Sequence, residues 1–314
     1  MPGRSLEISA VGELVLAASL WGFGFVATVW ALEDFGPLWI GGLRCSVAFI
    51  VGILICLAVP RLRSKLSKSQ FYLAFWPGLF LAGTLVLQTW GLKYTTATKS
   101  GFITTLYVLM VPVLERALLG RKIPRFHIIF VLIALVGVAM ICDLGQLFSA
   151  VPSDLSVERA RELWNFGDWL TLICAFAATF HIVWFGKIHS RIESSFVFNI
   201  YQTFWAGLIP FTLMFFLEPF PVRLRAFPIG GLMMLTFAST LIAFALQVRA
   251  QKKVAPSLAS LLFLLESPFA AFFGILFLGE RLTWMNGIGA LIIMVSLGSS
   301  VLYAAKQPKT VLIE

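Results

Sequence analysis

A glutamate lies deep in a long apolar stretch of the chain: Glu266, about ten residues into a run over 256–278 and two residues ahead of Pro268. Were that run to cross a bilayer, an ionisable side chain at such depth would cost a few kcal/mol, so it would face protein or water and mark a site by default. The nearby proline frees backbone carbonyls and distorts a helix. Glu266 is thus a candidate to bind a cationic group or a proton, the alternative being a carboxylic acid kept neutral by burial or paired with a neighbouring helix. His181, between Phe180 and Ile182, is a candidate proton-sensitive switch or hydrogen-bond donor, or a histidine satisfied by a nearby carbonyl. Arg44 has a guanidinium able to clamp a carboxylate bidentately, or to snorkel or pair with Glu33 or Asp34 in a structural or gating role. Gln88 and Gln247 both donate and accept, which suits a polar ligand and also interhelical adhesion. Tyr107 lies eight residues after Lys99, about two helical turns on and roughly on the same face; Lys99 reads as a snorkelling end residue, Tyr107 as the deeper group. Among the aromatic residues, Trp21, Trp184 and Trp205 are the candidates for contact with a bound solute, the rest reading as lipid-facing or interfacial anchors.

The elements that hold these residues follow from composition. The 314 residues are 59% hydrophobic and only 12% charged, against about 45–50% and about 25% in soluble domains. Apolar runs recur at 12–32, 38–59, 72–92, 98–118, 125–145, 167–187, 196–217, 228–249, 256–278 and 284–304, each close to the roughly 20 residues that a helix needs to cross a bilayer. Strands of a transmembrane barrel are about ten residues long and alternate apolar with polar, which these runs do not. The expected fold is all-α integral membrane, with ten transmembrane helices. The first ten residues carry one arginine and no apolar run, so the first span is expected to act as its own insertion signal.

The net charge of +9 does not point to nucleic acid, because the basic residues sit in short segments between apolar runs. Lys and Arg concentrate at the N-terminus and after even-numbered spans, which predicts an inner-membrane chain with both termini cytoplasmic. The connection 146–166, with Pro152, Asp154, Glu158 and Glu162, is then extracytoplasmic. It divides the chain into a five-helix unit over 1–145 and another over 167–305, followed by a cytoplasmic tail, 306–314.

The two units resemble each other. Leu119-Gly120-Arg121-Lys122-Ile123 matches Leu278-Gly279-Glu280-Arg281-Leu282, and Gln88 matches Gln247, both at a separation of 159; Ala97 matches Ala255, and Pro112 matches Pro268 after small gaps. With an odd number of spans in each, the second unit enters the membrane from the opposite side, and the units are expected to be inverted repeats. Small residues such as Gly78, Ala82, Gly83, Gly287, Gly289 and Ala290 read as close-packing positions, and Glu280 with Arg281 as helix termination and loop pairing.

Trp21-Gly22, Arg44, the segment Ala97-Thr98-Lys99-Ser100-Gly101-Phe102-Ile103-Thr104-Thr105-Leu106-Tyr107 leading to Val111-Pro112, and Leu265-Glu266-Ser267-Pro268-Phe269 leading to Leu278-Gly279-Glu280-Arg281 together resemble the ten-helix EamA group of the drug/metabolite transporter superfamily over roughly residues 10–304. Two departures stand out: Ser267 intervenes between the glutamate and the proline, and Arg121-Lys122 occupies the place of a Glu-Arg pair. The resemblance implies an inverted-repeat carrier of small organic solutes, often an exporter, with a cavity lined by the third, fourth, eighth and ninth spans and their neighbours.

The expected function is secondary transport of a small organic metabolite, an amino acid or a related zwitterionic or amphipathic solute, by export or exchange through alternating access. An S-adenosylmethionine-type metabolite is the alternative solute, and a non-transporting scaffold the alternative role. There is no GxxxxGK[ST] phosphate loop. Cys45, Cys56, Cys142 and Cys174 read as reduced packing residues, and His127, His181 and His189 have no metal-ligand spacing, so no cofactor, metal or enzymatic activity is expected. The expected partners are the solute and the lipid bilayer, with protons as a candidate through Glu266 or His181; the sequence does not separate monomer from homodimer.

Overall fold

The computed structural model describes residues 2–120, 125–141, 165–223, 225–281 and 283–306. The 146–164 part of the connector, Cys142, Arg121, Lys122, Leu282 and the end of the tail lie outside the described residues. In chain order the helices are α1 Pro2–Ala31, α2 Pro37–Ala58, α3 Pro60–Arg63, α4 Lys68–Leu73, α5 Phe75–Gly91, α6 Ala97–Thr104, α7 Tyr107–Leu119, α8 Arg125–Ile141, α9 Phe166–Ile188, α10 Ser195–Leu217, α11 Ala226–Met234, α12 Phe244–Gln251, α13 Pro256–Phe263, α14 Glu266–Leu278 and α15 Trp284–Lys306. A π-helical segment, Leu235–Ala243, joins α11 to α12.

Seven helical stretches are long and apolar enough to cross a membrane, among them Ala97–Leu119, Ala226–Gln251 and Pro256–Leu278. The third apolar run falls short because α5 has 17 residues, about 25 Å of helix. It restarts after Ala74, just ahead of Pro77, whose missing N–H falls in the first turn, where it costs least. The fifth and tenth runs also form helices, α8 and α15, with shorter apolar cores, Ile128–Gly137 and Trp284–Ser296. Phe216, Leu217, Phe272 and Leu291 are exposed on the outside of the bundle, an apolar surface that suits lipid rather than water. The chain is a multi-pass membrane protein.

The helix ends follow from local chemistry. Pro37 and Pro256 open α2 and α13, where a proline's fixed φ is already helical. Thr96 and Ser194 cap α6 and α10 through side chains that accept from Lys99 and Val197 N–H. Gly120 and Gly279, at φ 68° and 67°, end α7 and α14 in the left-handed conformation that glycine adopts without a Cβ penalty.

The helices pack in a definite set of pairs: α2 on α10, α5 on α9 and α10, α8 on α15, α1 on α14 and on α11 to α12, α9 on α7, and α6 on α14. Backbones approach closely where glycine allows it. A Cβ at Gly22 would strike the Phe269 side chain, which brings α1 against α14, and one at Gly78 would strike Trp205. Gly287, read above as a packing residue, instead has nothing within 4 Å of where its Cβ would be. Cys45, Cys56 and Cys174 are buried and form no disulfide among the described residues.

Carboxylates clasp both ends of the bundle. At one end Glu280 accepts from the Ala97 and Thr98 N–H groups (2.9 and 3.2 Å) and from the Thr98 hydroxyl, so it caps α6 as well as ending α14. Glu218 accepts from Leu38 and Trp39 N–H at the start of α2. Buried Asp168 accepts from Lys99 Nζ (2.6 Å), Thr95 Oγ1 (2.7 Å) and Asn165 N–H (2.8 Å). Lys99, expected to snorkel, therefore ends in an ion pair. At the other end Glu13 pairs with Arg249 at 2.9 Å, and Glu115 accepts from Ser257 N–H at 3.1 Å.

In the loop before α2, Asp34 receives Arg225 Nη2 at 2.7 Å and Nε at 2.9 Å, and these hydrogen bonds hold its carboxyl below the ordinary 3.8. A carboxyl held low in the folded state stabilises it above the unfolded pKa, and that contribution is lost as pH falls through the folded value. Wild-type protein is therefore expected to be more heat-stable than Asp34→Asn at neutral pH, with the difference shrinking below about pH 3.8, as thermal unfolding at a series of pH values would report.

Candidate functional site

The fourth and ninth apolar runs each break in mid-course. Between α6 and α7, Leu106 N–H bonds Ile103 O and Val108 N–H bonds Thr105 O; between α13 and α14, Leu264 N–H bonds Leu261 O and Leu265 N–H bonds Leu262 O. These are tight i to i−3 turns, which in the middle of a helix often mark a functional hinge. Pro268, three positions into α14, supports the second break because it cannot continue the ladder from α13. Tyr107 and Glu266, each the first residue of the helix that resumes, stand 159 positions apart, the same separation as Gln88 and Gln247 and as Gly120 and Gly279. Ser267 links the two breaks by donating to Gly101 O (3.1 Å) and contacting Thr105 Oγ1 (3.2 Å). Ser267→Ala is expected to lower stability by about 1 kcal/mol, seen as a small fall in the midpoint of thermal unfolding.

Both breaks border one partly open cavity, where the space between the lining atoms, its mouth included, is about 610 Å³. Trp21, Gly24 and Thr28 of α1, Arg44 of α2, Leu81, Thr84, Leu85 and Gln88 of α5, Thr104 and Tyr107, Ala178, His181 and Ile182 of α9, Leu235 and Ser239 of the π segment, Phe244 and Gln247 of α12, Phe263 and Glu266 line it. Seven of the residues singled out in the sequence thus share one cavity.

Trp184 and Trp205 do not. Trp184 lies against Trp76 and Phe80, and Trp205 donates to Phe71 O at 3.0 Å. Each sits three positions after an inward-facing residue, His181 or Gln202, and three positions on a helix leave an offset of about 60°, enough to turn both rings toward α4 and α5.

Arg44 is almost fully buried and makes no pair with Glu33 or Asp34, which are engaged by Arg225. Its Nε donates to Thr240 Oγ1 and its Nη2 to Ser239 Oγ, both at 3.0 Å. Thr240 Oγ1 in turn donates to Leu235 O, five residues back, in keeping with the π geometry. Sequence reasoning missed Ser239 and Thr240; adjacent hydroxyls in mid-span were the available signal.

His181 has its role as donor fixed by the groups behind it. Asn199 Nδ2 donates to Thr240 O and Leu241 O, and Gln202 Nε2 donates to Asn199 Oδ1 (2.8 Å). Gln202 therefore presents its oxygen to His181 Nε2 (3.2 Å), and that nitrogen must carry the proton. Asn199 and Gln202, also missed, are fully buried polar residues in an apolar run.

The remaining lining groups are less satisfied. Gln88 Nε2 donates to Thr104 Oγ1 at 3.3 Å, and Gln247 Nε2 to Gln251 Oε1 at 2.9 Å. Among the described residues, the Tyr107 hydroxyl and Gln247 Oε1 are buried without a hydrogen-bond partner. No hydrogen bond or ion pair holds the Glu266 carboxyl, and no carboxylate is paired with Arg44, among the described residues. Trp21 donates to Ser239 O (3.2 Å) and packs on Phe244 and Phe263 with centroids 4.9 and 5.1 Å away, which gives the cavity an aromatic wall. The arrangement can receive an ammonium at Glu266, a carboxylate at Arg44 and neutral polar groups at Tyr107 and Gln247.

Residues 9–142, and again residues 165–302, match the model of the EamA-like transporter family. The chain belongs to the EamA-like transporter family. An uncharacterized transporter of Archaeoglobus fulgidus is 28% identical to it over 287 residues, 90% of this chain and 82% of that protein. The uncharacterized transporter YetK of Bacillus subtilis is 26% identical over 151 residues, 47% of this chain and 44% of that protein. A crystal structure at 18% sequence identity superposes with a TM-score of 0.71 over 95% of this chain and 99% of that one, a likeness of fold alone. This EamA-like chain is accordingly a membrane transporter and not an enzyme.

Proposed function

We propose that the chain is a secondary carrier of a small zwitterionic organic solute, an amino acid or a related amphipathic metabolite, held between Glu266 and Arg44. The carrying observation is a cavity that contains a carboxyl and a guanidinium, neither of them in an ion pair among the described residues. Ionic groups inside a membrane protein are costly unless matched, and a zwitterion supplies both missing partners. Tyr107 and Gln247 would bond its polar substituents, Gln88 and His181 would complete the polar wall, and Trp21 would pack on its apolar part.

We read the chain as ten spans in two inverted repeats, in the inner membrane, with both termini cytoplasmic. Three features support the two repeats. The family model matches the two parts separately. The helix breaks and left-handed caps recur at a separation of 159. The packing pairs exchange under the repeat: α1 on α14 corresponds to α9 on α7, α1 on α11 to α12 corresponds to α9 on α5, and the pairs α2 with α10 and α8 with α15 map onto themselves. Alternating access would then release one end of the broken helices at a time, either the Glu280 clasp or the Glu115 clasp.

The test is flux through proteoliposomes, with and without a pH gradient, for labelled amino acids and S-adenosylmethionine. Unlabelled amino acids are expected to compete better than the corresponding amine or the corresponding carboxylic acid. Equal competition by the amine alone would remove Arg44 from recognition, and the absence of saturable flux with any solute would leave the carrier reading without support.

A further inference from the structure

Away from the central cavity, a second concavity of about 970 Å³ opens on the side of the bundle, where α4 and the start of α5 meet the end of α9 and the turn after it. Its chemistry is unlike that of the cavity. Lys187 and Arg191, four residues apart, are exposed on its rim, and neither is in an ion pair among the described residues. Glu193, the acid next along the chain, is engaged by Lys65 at 3.5 Å. Lys187 Nζ sits 4.8 Å from the centre of the Trp184 ring, which faces Trp76 at 6.0 Å. Trp76 and Tyr72 are 48% and 67% exposed, and with Ser69 and Leu73 they continue the groove outward.

The groove is built into the fold. Gln70, buried on α4, donates to Arg191 O at 2.9 Å and accepts from Glu193 N–H at 3.2 Å, so the turn that carries Arg191 is fastened to the short helix that forms the opposite wall. The groove lies at the end of a membrane-crossing helix, the level at which lipid headgroups sit and where Trp and Tyr accumulate.

We infer that this groove binds the phosphodiester headgroup of an acidic glycerophospholipid. Lys187 and Arg191 contact the phosphate oxygens, Arg191 with the forked geometry suited to them, and Ser69 donates at the rim. The glycerol and the first methylenes of an acyl chain lie along Trp76, Tyr72 and Trp184. Basic pockets between spans at a membrane surface favour this ligand class through charge, and exposed aromatic rings favour the amphipathic boundary of a lipid over a soluble anion.

The purified full-length chain would be examined by native mass spectrometry in detergent, with phosphatidylglycerol or phosphatidylcholine of identical acyl chains. The first phosphatidylglycerol is expected to bind about 30-fold more tightly than phosphatidylcholine, as two cations near a headgroup predict. The preference disappears in Lys187→Gln/Arg191→Gln and survives in Lys187→Arg/Arg191→Lys, whose charges are kept. Both side chains are exposed, so equal thermal midpoints in phosphatidylcholine would show that the variants fold alike. The inference is overturned if the neutral double variant keeps the preference. It is also overturned if glycerol 3-phosphate or inorganic phosphate displaces the lipid at equal concentration, which would assign the groove to a soluble phosphate.

Discussion

Glu266→Gln is expected to reduce flux of a zwitterionic solute by about 30-fold or more while leaving the midpoint of thermal unfolding within a degree or so of wild type, the loss corresponding to one charge-assisted hydrogen bond to the solute. Glutamine keeps the size of the side chain and removes its capacity to carry a negative charge. Since no group in the described protein holds the Glu266 carboxyl, the folded state has little to lose, and the effect should appear in transport alone. Arg44→Met is expected to abolish flux as well, but with the opposite signature in stability. It removes a buried cation with which no carboxylate is paired among the described residues, a change that is often neutral or stabilising by about 1 kcal/mol or more. The hydroxyl of Thr240 keeps its bond to Leu235 O, whereas the buried Ser239 hydroxyl loses its contact with Arg44, a cost of about 1 kcal/mol set against that gain. Flux assays in proteoliposomes and thermal unfolding in detergent would measure both pairs of outcomes. Unchanged flux in Glu266→Gln would make that residue structural, and a marked fall in the stability of Arg44→Met would mean that its contacts with Ser239 and Thr240 hold the π segment in place.

Asp168→Ala is expected to be the most destabilising single substitution of a polar residue, by about 3–5 kcal/mol, the range for removing one partner of a buried charge network. Asp168 is fully buried and joins the capping box of α9 to Thr95 and to Lys99 at the start of α6. Its removal takes the Asp168 contact from the Lys99 ammonium, whose side chain is only 20% exposed, and from the Thr95 hydroxyl and the Asn165 N–H. Thermal unfolding of Asp168→Ala, Lys99→Met and the double variant would separate the contributions. If the ion pair carries the effect, the double variant should be less destabilised than the sum of the single ones; strict additivity would transfer the role to the capping box. Because the clasp ties α9 to the broken fourth run at the same end as Glu280, both single variants should also loosen that end of the cavity.

Much of this protein was legible before any coordinates. Apolar runs of span length announced a membrane bundle, since a chain that is apolar on nearly all sides has no other stable setting. Polar groups isolated within those runs pointed to the cavity, because each is costly in lipid; Trp21, Arg44, Gln88, Tyr107, His181, Gln247 and Glu266 all line it. The separation of 159 between Gln88 and Gln247 applies equally to Tyr107 and Glu266, and that pairing was already present in the residue numbers.

Tertiary structure alone decided which way each helix faces and what each charge meets. In a soluble amphipathic helix the polar stripe reveals the outer face, but in these spans lipid-facing and protein-facing sides are both apolar, so periodicity could not turn Trp184 and Trp205 away from the cavity. The partners of Arg44 and Lys99 come from other helices, Ser239 and Thr240 lying nearly 200 positions from Arg44 and Asp168 lying 69 from Lys99. The breaks at Thr105–Leu106 and Leu264–Leu265 arise where two broken runs cross and Ser267 joins them. Hydrogen bonds between segments far apart in the chain are made only when the bundle closes, and no local pattern encodes them.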